Sequence, residues 1–91
     1  MCNYDITYLN EYKDGSSYFK HPDIGILSFV YTIWDEPKTW TGGDLVFSDY
    51  NYKPYLKNNC CLVFPSFELH EVETLHGEGS RYTINQRIYI K

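Results

Sequence analysis

His21 and Asp23 stand one proline apart in the stretch KHPDIG. An imidazole and a carboxylate at i and i+2 of an extended segment project to one side, while Pro22 points to the other. Pro22 also lacks the amide hydrogen that a sheet interior needs, which places the pair on an edge strand or at a strand end. A neutral imidazole and a carboxylate aimed at one point suit a borderline divalent metal, and such a pair needs a third ligand from elsewhere. The sequence has two other histidines. His70 follows an apolar run and a Pro-Ser turn in FPSFELHEV, at the expected start of a strand. His76 lies in LHGEGS, which reads as an exposed turn. His70 is therefore the expected third ligand. His21, Asp23 and His70 would form a two-histidine, one-carboxylate set whose open positions suit non-haem Fe(II) oxygen chemistry. An H-x-D pair alone is common by chance, and a lone histidine is more often a hydrogen-bonded, half-buried side chain, so the companions of these residues decide the case.

Eleven residues after His70 comes Arg81, and Thr83 shares its strand face. A guanidinium fork grips a carboxylate with two parallel hydrogen bonds. A buried arginine requires an anionic partner, because an unpaired buried charge is costly. No internal carboxylate is evident from the sequence, and a small dicarboxylate would serve. The plain alternative is a surface arginine on a terminal strand.

Positioning these side chains falls to strands. Apolar residues come in short runs or alternate, separated by turn signals at DGSS, DEPK, TGGD, KNN and HGEGS. The runs are DITYLNEY, SYFKHP, GILSFVYTIW, DLVFSDY, YKPYLK, CCLVFPS, HEVETL and RYTINQRIYI. About eight short strands at even spacing predict an antiparallel sandwich or barrel, all-β. Aromatic residues make up 19% of the chain, ten of them tyrosines, which favours pleated surfaces. No linker or repeat interrupts the 91 residues, so one domain spanning 1–91 is expected. The net charge of −4 argues against a nucleic-acid surface. No apolar run approaches the roughly 20 residues that span a bilayer. The start, MCNYDITYLN, does not read as a signal peptide. Cys2, Cys60 and Cys61 are odd in number and the last two adjacent, so reduced thiols and a cytoplasmic location are expected.

Taken in order, these pieces resemble the iron(II)/2-oxoglutarate-dependent dioxygenases, prolyl 4-hydroxylase-like branch. The lead-in appears as Tyr12-x2-Gly15-x2-Tyr18-x2-His21-x-Asp23. The family's GGxLxF strand appears as Gly42 to Phe47, its FPSxxLHEV segment as Phe64 to Val72, and its G-x-RYxI as Gly79 to Ile84. The resemblance runs from about residue 10 to the C-terminus and implies a double-stranded β-helix, or jelly roll. It implies that His21, Asp23 and His70 bind Fe(II), with Arg81 gripping the far carboxylate of 2-oxoglutarate and Thr83 assisting. Tyr12 or Tyr18 would donate a hydroxyl to the cosubstrate, and Thr32 would face the same carboxylate. The implied reaction couples O2 and the decarboxylation of 2-oxoglutarate to hydroxylation of a substrate carbon, such as that of a prolyl residue, releasing succinate and CO2. Ascorbate is an implied auxiliary cofactor.

Two features depart from the family pattern. Arg87 shares the face of Arg81, Thr83 and Asn85, where many relatives carry an aromatic such as Trp. Turned inward, it would contact an anionic substrate group or a second point on the cosubstrate; turned outward, it would reach solvent. The helical cover that usually precedes the core is largely absent. If Thr32 faces the pocket, then Leu27, Phe29, Tyr31 and Ile33 face away with Tyr82 and Ile84, an apolar row that wants a cover. A partner subunit or second copy would supply it, or the chain is a partial copy. Cys60 and Cys61 face opposite sides of a strand with no redox role. Trp34 and Trp40 flank a loop at the pocket rim by family analogy, with aromatic packing as the default. Two further readings stand beside the enzyme: a non-catalytic, cupin-like jelly roll binding a metal or small acid, and an interaction module using its apolar sheet.

Overall fold

The structure is a computed structural model and describes residues 4–89. Among the described residues the regular elements are nine strands and no helix. They are β1 Tyr4–Tyr12, β2 Tyr18–His21, β3 Leu27–Trp34, β4 Trp40–Gly42, β5 Leu45–Phe47, β6 Cys60–Pro65, β7 His70–Val72, β8 Leu75–Gly77 and β9 Arg81–Tyr89. A four-stranded sheet runs in the order β1-β9-β3-β6, a three-stranded sheet in the order β2-β7-β5, and β4 pairs with β8. Every pairing is antiparallel. The fold is all-β, as the strand pattern predicts, and is the double-stranded β-helix that the family resemblance implies. None of it supplies a helix long and apolar enough to cross a membrane.

Period-two alternation sorts the four-stranded sheet into two faces. On β3, Ser28, Val30 and Thr32 are buried and their neighbours are not. Register places Ser28 opposite Arg87, Val30 opposite Asn85 and Thr32 opposite Thr83 on β9. On the other flank of β9, Tyr12 lies opposite Arg81, Asn10 opposite Thr83 and Tyr8 opposite Asn85. The inner face is thus rich in polar side chains, against the usual apolar-in pattern. The apolar core collects beside it as Tyr12, Trp40, Leu45, Val72 and Leu75, drawn from both sides of the roll. Leu75 is fully buried, which contributes on the order of 2 kcal/mol. The outer face carries Leu9 at 74% exposure, Val63 at 49% and Ile84 at 41%, so among the described residues that apolar row is uncovered.

The strand pattern differs from the sequence reading in three places. YKPYLK forms no strand: only Tyr52 makes an isolated bridge, to Phe47, and the segment then continues as loop. Pro54 lacks the amide that a ladder needs. HEVETL breaks into β7 and β8, because β7 pairs with β5 while β8 pairs with β4. At the break Glu73 donates its backbone N–H to Asp44 and Leu75 donates to Ser16. TGGD holds the end of a strand as well as a turn. Gly42 and Gly43 take φ of 72° and 67°, and a Cβ on Gly42 would lie 2.1 Å from the Thr74 carbonyl oxygen. Only glycine meets both conditions. Cys2 and Ile90 lie outside the described residues.

Candidate active site: a metal-ligand triad beside a buried arginine

β2 and β7 pair so that His21 lies directly opposite His70, which brings together residues 49 apart in sequence. Their rings sit 4.4 Å apart between centroids. β2 ends at His21, so strand alternation does not aim Asp23. A turn does, held by the Asp23 backbone N–H donating to the Ser66 carbonyl at 2.8 Å. The His21 Nε2 lies 3.4 Å from Asp23 Oδ1, and the His70 Nε2 lies 3.7 Å from Asp23 Oδ2. One ligand atom from each of the three residues falls within 4.8 Å of the others, the cluster of that kind found among the described residues.

The imidazoles are arranged as ligands. His21 Nδ1 faces the Phe19 carbonyl at 2.7 Å and His70 Nδ1 faces the Glu68 carbonyl at 2.8 Å. A carbonyl only accepts, so each Nδ1 carries the proton and each Nε2 lone pair points at the shared centre. Burial pushes the His70 pKa down, with the Glu68 carbonyl and the Asp23 carboxylate pulling the other way. His70 is thereby kept neutral, as a ligand must be. Ser28 Oγ–H donates to Asp23 Oδ2 at 2.6 Å, and Ser66 Oγ lies 3.0 Å behind Ser28. Asp23 Oδ1 is buried with no hydrogen-bond donor, which leaves its lone pairs open. Two imidazoles presenting Nε2 and one carboxylate with an oxygen that accepts no hydrogen bond fit Fe(II).

The cleft that His21 and His70 line extends along the inner face and is also lined by Tyr12, Tyr18, Arg81, Thr83 and Asn85. Arg81 is 1% exposed. Its Nη2 reaches Thr32 Oγ1 only at 3.4 Å, its Nη1 has no partner, and its Cζ lies 5.2 Å from the centre of the Tyr12 ring. Among the described residues no carboxylate lies within ion-pairing distance of it. Burial lowers its pKa, against the opposing pull of Tyr12 and Asp44. Thr83 Oγ1 is likewise buried and unpartnered. A buried fork and a hydroxyl, both with unsatisfied atoms and on one strand face, have the donors that a carboxylate takes up. The free space is narrow, about 20 Å³, so a ligand larger than water requires side chains at the mouth to move. Tyr18, 37% exposed and with its ring 4.3 Å from that of His21, stands there.

The other expected residues fall as follows. Thr32 is fully buried beside Arg81. Arg87 turns inward, its side chain 19% exposed, and its Nη2 lies 3.2 Å from Asp23 Oδ1. That oxygen receives no aligned N–H, so the pair is a charge contact without a directed hydrogen bond. His76 is exposed on β8, away from the triad. Trp40 is a core residue and packs edge-on against Trp34, and neither lines the metal-ligand cleft. Cys60 is half-buried and Cys61 exposed, both free thiols. Sequence reasoning missed Ser28 and Tyr8. Ser28 was legible, because alternation back from Thr32 puts it on the inner face; Tyr8 became visible only once β1 was paired with β9.

A family model described as the 2OG-Fe(II) oxygenase superfamily matches residues 7–89. Comparison with curated proteins returns no match. Among solved structures the chain is similar to a Pseudomonas putida prolyl-4-hydroxylase, with TM-score 0.73 and 23% identity over 99% of this chain and 54% of that one. It is similar to a viral collagen prolyl hydroxylase from Paramecium bursaria Chlorella virus-1, solved as its 2OG complex, with TM-score 0.68 and 15% identity over 99% of this chain and 63% of that one. It also resembles a cupin superfamily protein from Desulfitobacterium hafniense, with TM-score 0.65 and 14% identity over 99% of this chain and 82% of that one. The chain therefore spans about half to two thirds of the length of these hydroxylases, and at such identities the likeness is one of fold. The family model, matching residues 7–89 and so nearly the whole chain, decides the membership: the chain belongs to the 2OG-Fe(II) oxygenase superfamily.

Proposed function

We propose that this chain is the core of an Fe(II)- and 2-oxoglutarate-dependent dioxygenase that hydroxylates a substrate carbon. The observation that carries the reading is Arg81, a buried guanidinium without an anionic partner in the cleft that His21 and His70 line, the two histidines that share the candidate metal centre with Asp23. His21 Nε2, His70 Nε2 and an Asp23 carboxylate oxygen would hold the iron. When bound, the iron supplies the activation of O2 that couples decarboxylation of 2-oxoglutarate, giving succinate and CO2, to hydroxylation. Arg81, with Thr83 and Thr32 beside it, grips the far carboxylate and so orients the 2-oxo acid toward the triad. Tyr12 stacks on Arg81 and keeps water from it, and Tyr18 moves to admit ligand. A prolyl substrate is part of the reading, supported by the likeness of fold to two prolyl hydroxylases. Ascorbate enters only as a reductant to include in the assay. A partner subunit or second copy covering Leu9, Val63 and Ile84 belongs to the same reading, and light scattering with hydrophobic-dye binding tests it.

The test is anaerobic addition of Fe(II) and then 2-oxoglutarate to metal-free protein, watching for the visible charge-transfer band of a chelated 2-oxo acid on ferrous iron. A band lost in His70→Ala and weakened in Arg81→Ala supports the reading, and proline-containing peptides are then tried as substrates. A folded protein that binds metal and gives no band favours the second reading, a non-catalytic cupin-like jelly roll. That reading is supported by the likeness to a cupin superfamily protein most of whose length this chain spans.

A further inference from the structure

Asp23 has two anchors apart from Arg87. Its Oδ2 takes a 2.6 Å hydrogen bond from Ser28 and its backbone is tied to Ser66. Arg87 adds something else. Its Nη2 stands 3.2 Å from the open Oδ1 without hydrogen-bond alignment, so what it delivers is charge. Nor is it free to swing away. Nη2–H donates to the Tyr8 hydroxyl, the Tyr8 ring centre lies 5.3 Å from Cζ, and Tyr89 hydrogen-bonds to the same side chain. A histidine ligates a metal as the neutral imidazole, so as a ligand set the three residues carry one negative charge. With Arg87 the set carries none.

We propose that Arg87 makes this site take up a divalent metal and an anionic ligand together in preference to the metal alone. The inference rests on the metal-site reading above. A dication entering the triad must share the Asp23 carboxylate with a fixed cation, which weakens its binding. A carboxylate-bearing ligand in an open position offsets that repulsion. Because coupling between two ligands is reciprocal, the metal and the anion each strengthen the other's binding. A neutral residue at position 87 would bind the metal tightly and be nearly indifferent to the charge of what joins it.

The experiment is a Mn(II) titration, followed through the electron paramagnetic resonance signal of free Mn(II). It is run with and without saturating 2-oxoglutarate and corrected for their complex in solution. The proteins are the wild type, Arg87→Gln, Arg87→Lys and Arg87→Met, with circular dichroism to confirm folding. The Met variant keeps an apolar stem against Tyr8 and serves if the Gln variant does not fold. In the neutral variants Mn(II) alone should bind about tenfold tighter, and the gain from adding 2-oxoglutarate should shrink by about tenfold. Arg87→Lys should keep most of the wild-type coupling. Weaker binding of Mn(II) alone in the neutral variants would show that Arg87 orients Asp23, and would overturn the proposal. Unchanged coupling would overturn it as well while leaving the metal site standing. A wild type that binds no Mn(II) would instead remove the metal-site reading and this inference with it.

Discussion

Arg81→Met should stabilise the ligand-free protein while weakening its response to 2-oxoglutarate. Arg81 is 1% exposed and faces no carboxylate among the described residues. Burying a charge costs several kcal/mol unless it is paired. Some of that returns through the Tyr12 ring, about 1–2 kcal/mol for a desolvated cation over an aromatic face. The Thr32 contact, at 3.4 Å, is long for an N–H···O bond and adds little. A deficit of about 1–2 kcal/mol remains, in line with the cost of an unsatisfied buried group. Methionine fills a similar volume with no charge to bury. For a domain of this size 1 kcal/mol moves Tm by about 4–8 °C, so the variant should melt about 5–15 °C higher. Ligand reverses the order. At one hundred times its Kd, 2-oxoglutarate added to the Mn(II)-loaded protein should stabilise the wild type by about 2.7 kcal/mol beyond Mn(II) alone and the variant by much less. Differential scanning fluorimetry with and without 2-oxoglutarate reads both effects. A variant that melts below the ligand-free wild type would refute the reasoning, since Arg81 would then be internally satisfied and not held in waiting for a ligand.

Three other outcomes are expected. Ser28→Ala removes the 2.6 Å bond that aims Asp23 and should weaken Mn(II) or Co(II) binding about 10–100-fold by titration, with unchanged affinity counting against an orienting role. Metal-free protein should lose stability as pH falls below about 6.5, the value His70 takes on unfolding. Burial lowers the folded pKa of His70, so below 6.5 the unfolded chain binds more protons and the fold loses ground. Denaturant melts from pH 8 to 5.5 should show that slope and His70→Phe should flatten it. Gly42→Ala places a Cβ 2.1 Å from a carbonyl oxygen at φ of 72°, and urea unfolding should register a loss of about 2 kcal/mol or more.

The sequence by itself determined the alternation that makes the roll and the residue types that carry chemistry. His21, Asp23, His70 and Arg81 were legible because each sits beside a turn signal or in a run of period two, and period two fixes which side chains share a face. It also marked the apolar row of Leu27, Phe29, Tyr31 and Ile33 as the outer face, since Thr32 among them had to point the other way. Strand partners were not legible. Whether HEVETL stays one strand depends on Asp44 and Ser16 capturing its amides, contacts distant in sequence. Asp23 joins the histidines through a turn tied to Ser66, where strand geometry alone suggested simple alternation. The role of Arg87 depended most on tertiary structure. Its parity pointed inward, but parity says nothing of what stands opposite. Only the pairing of β9 between β1 and β3 put Tyr8 and Ser28 beside it and brought Asp23 within reach, because the neighbours of a strand residue are set by register across strands and not by order along the chain.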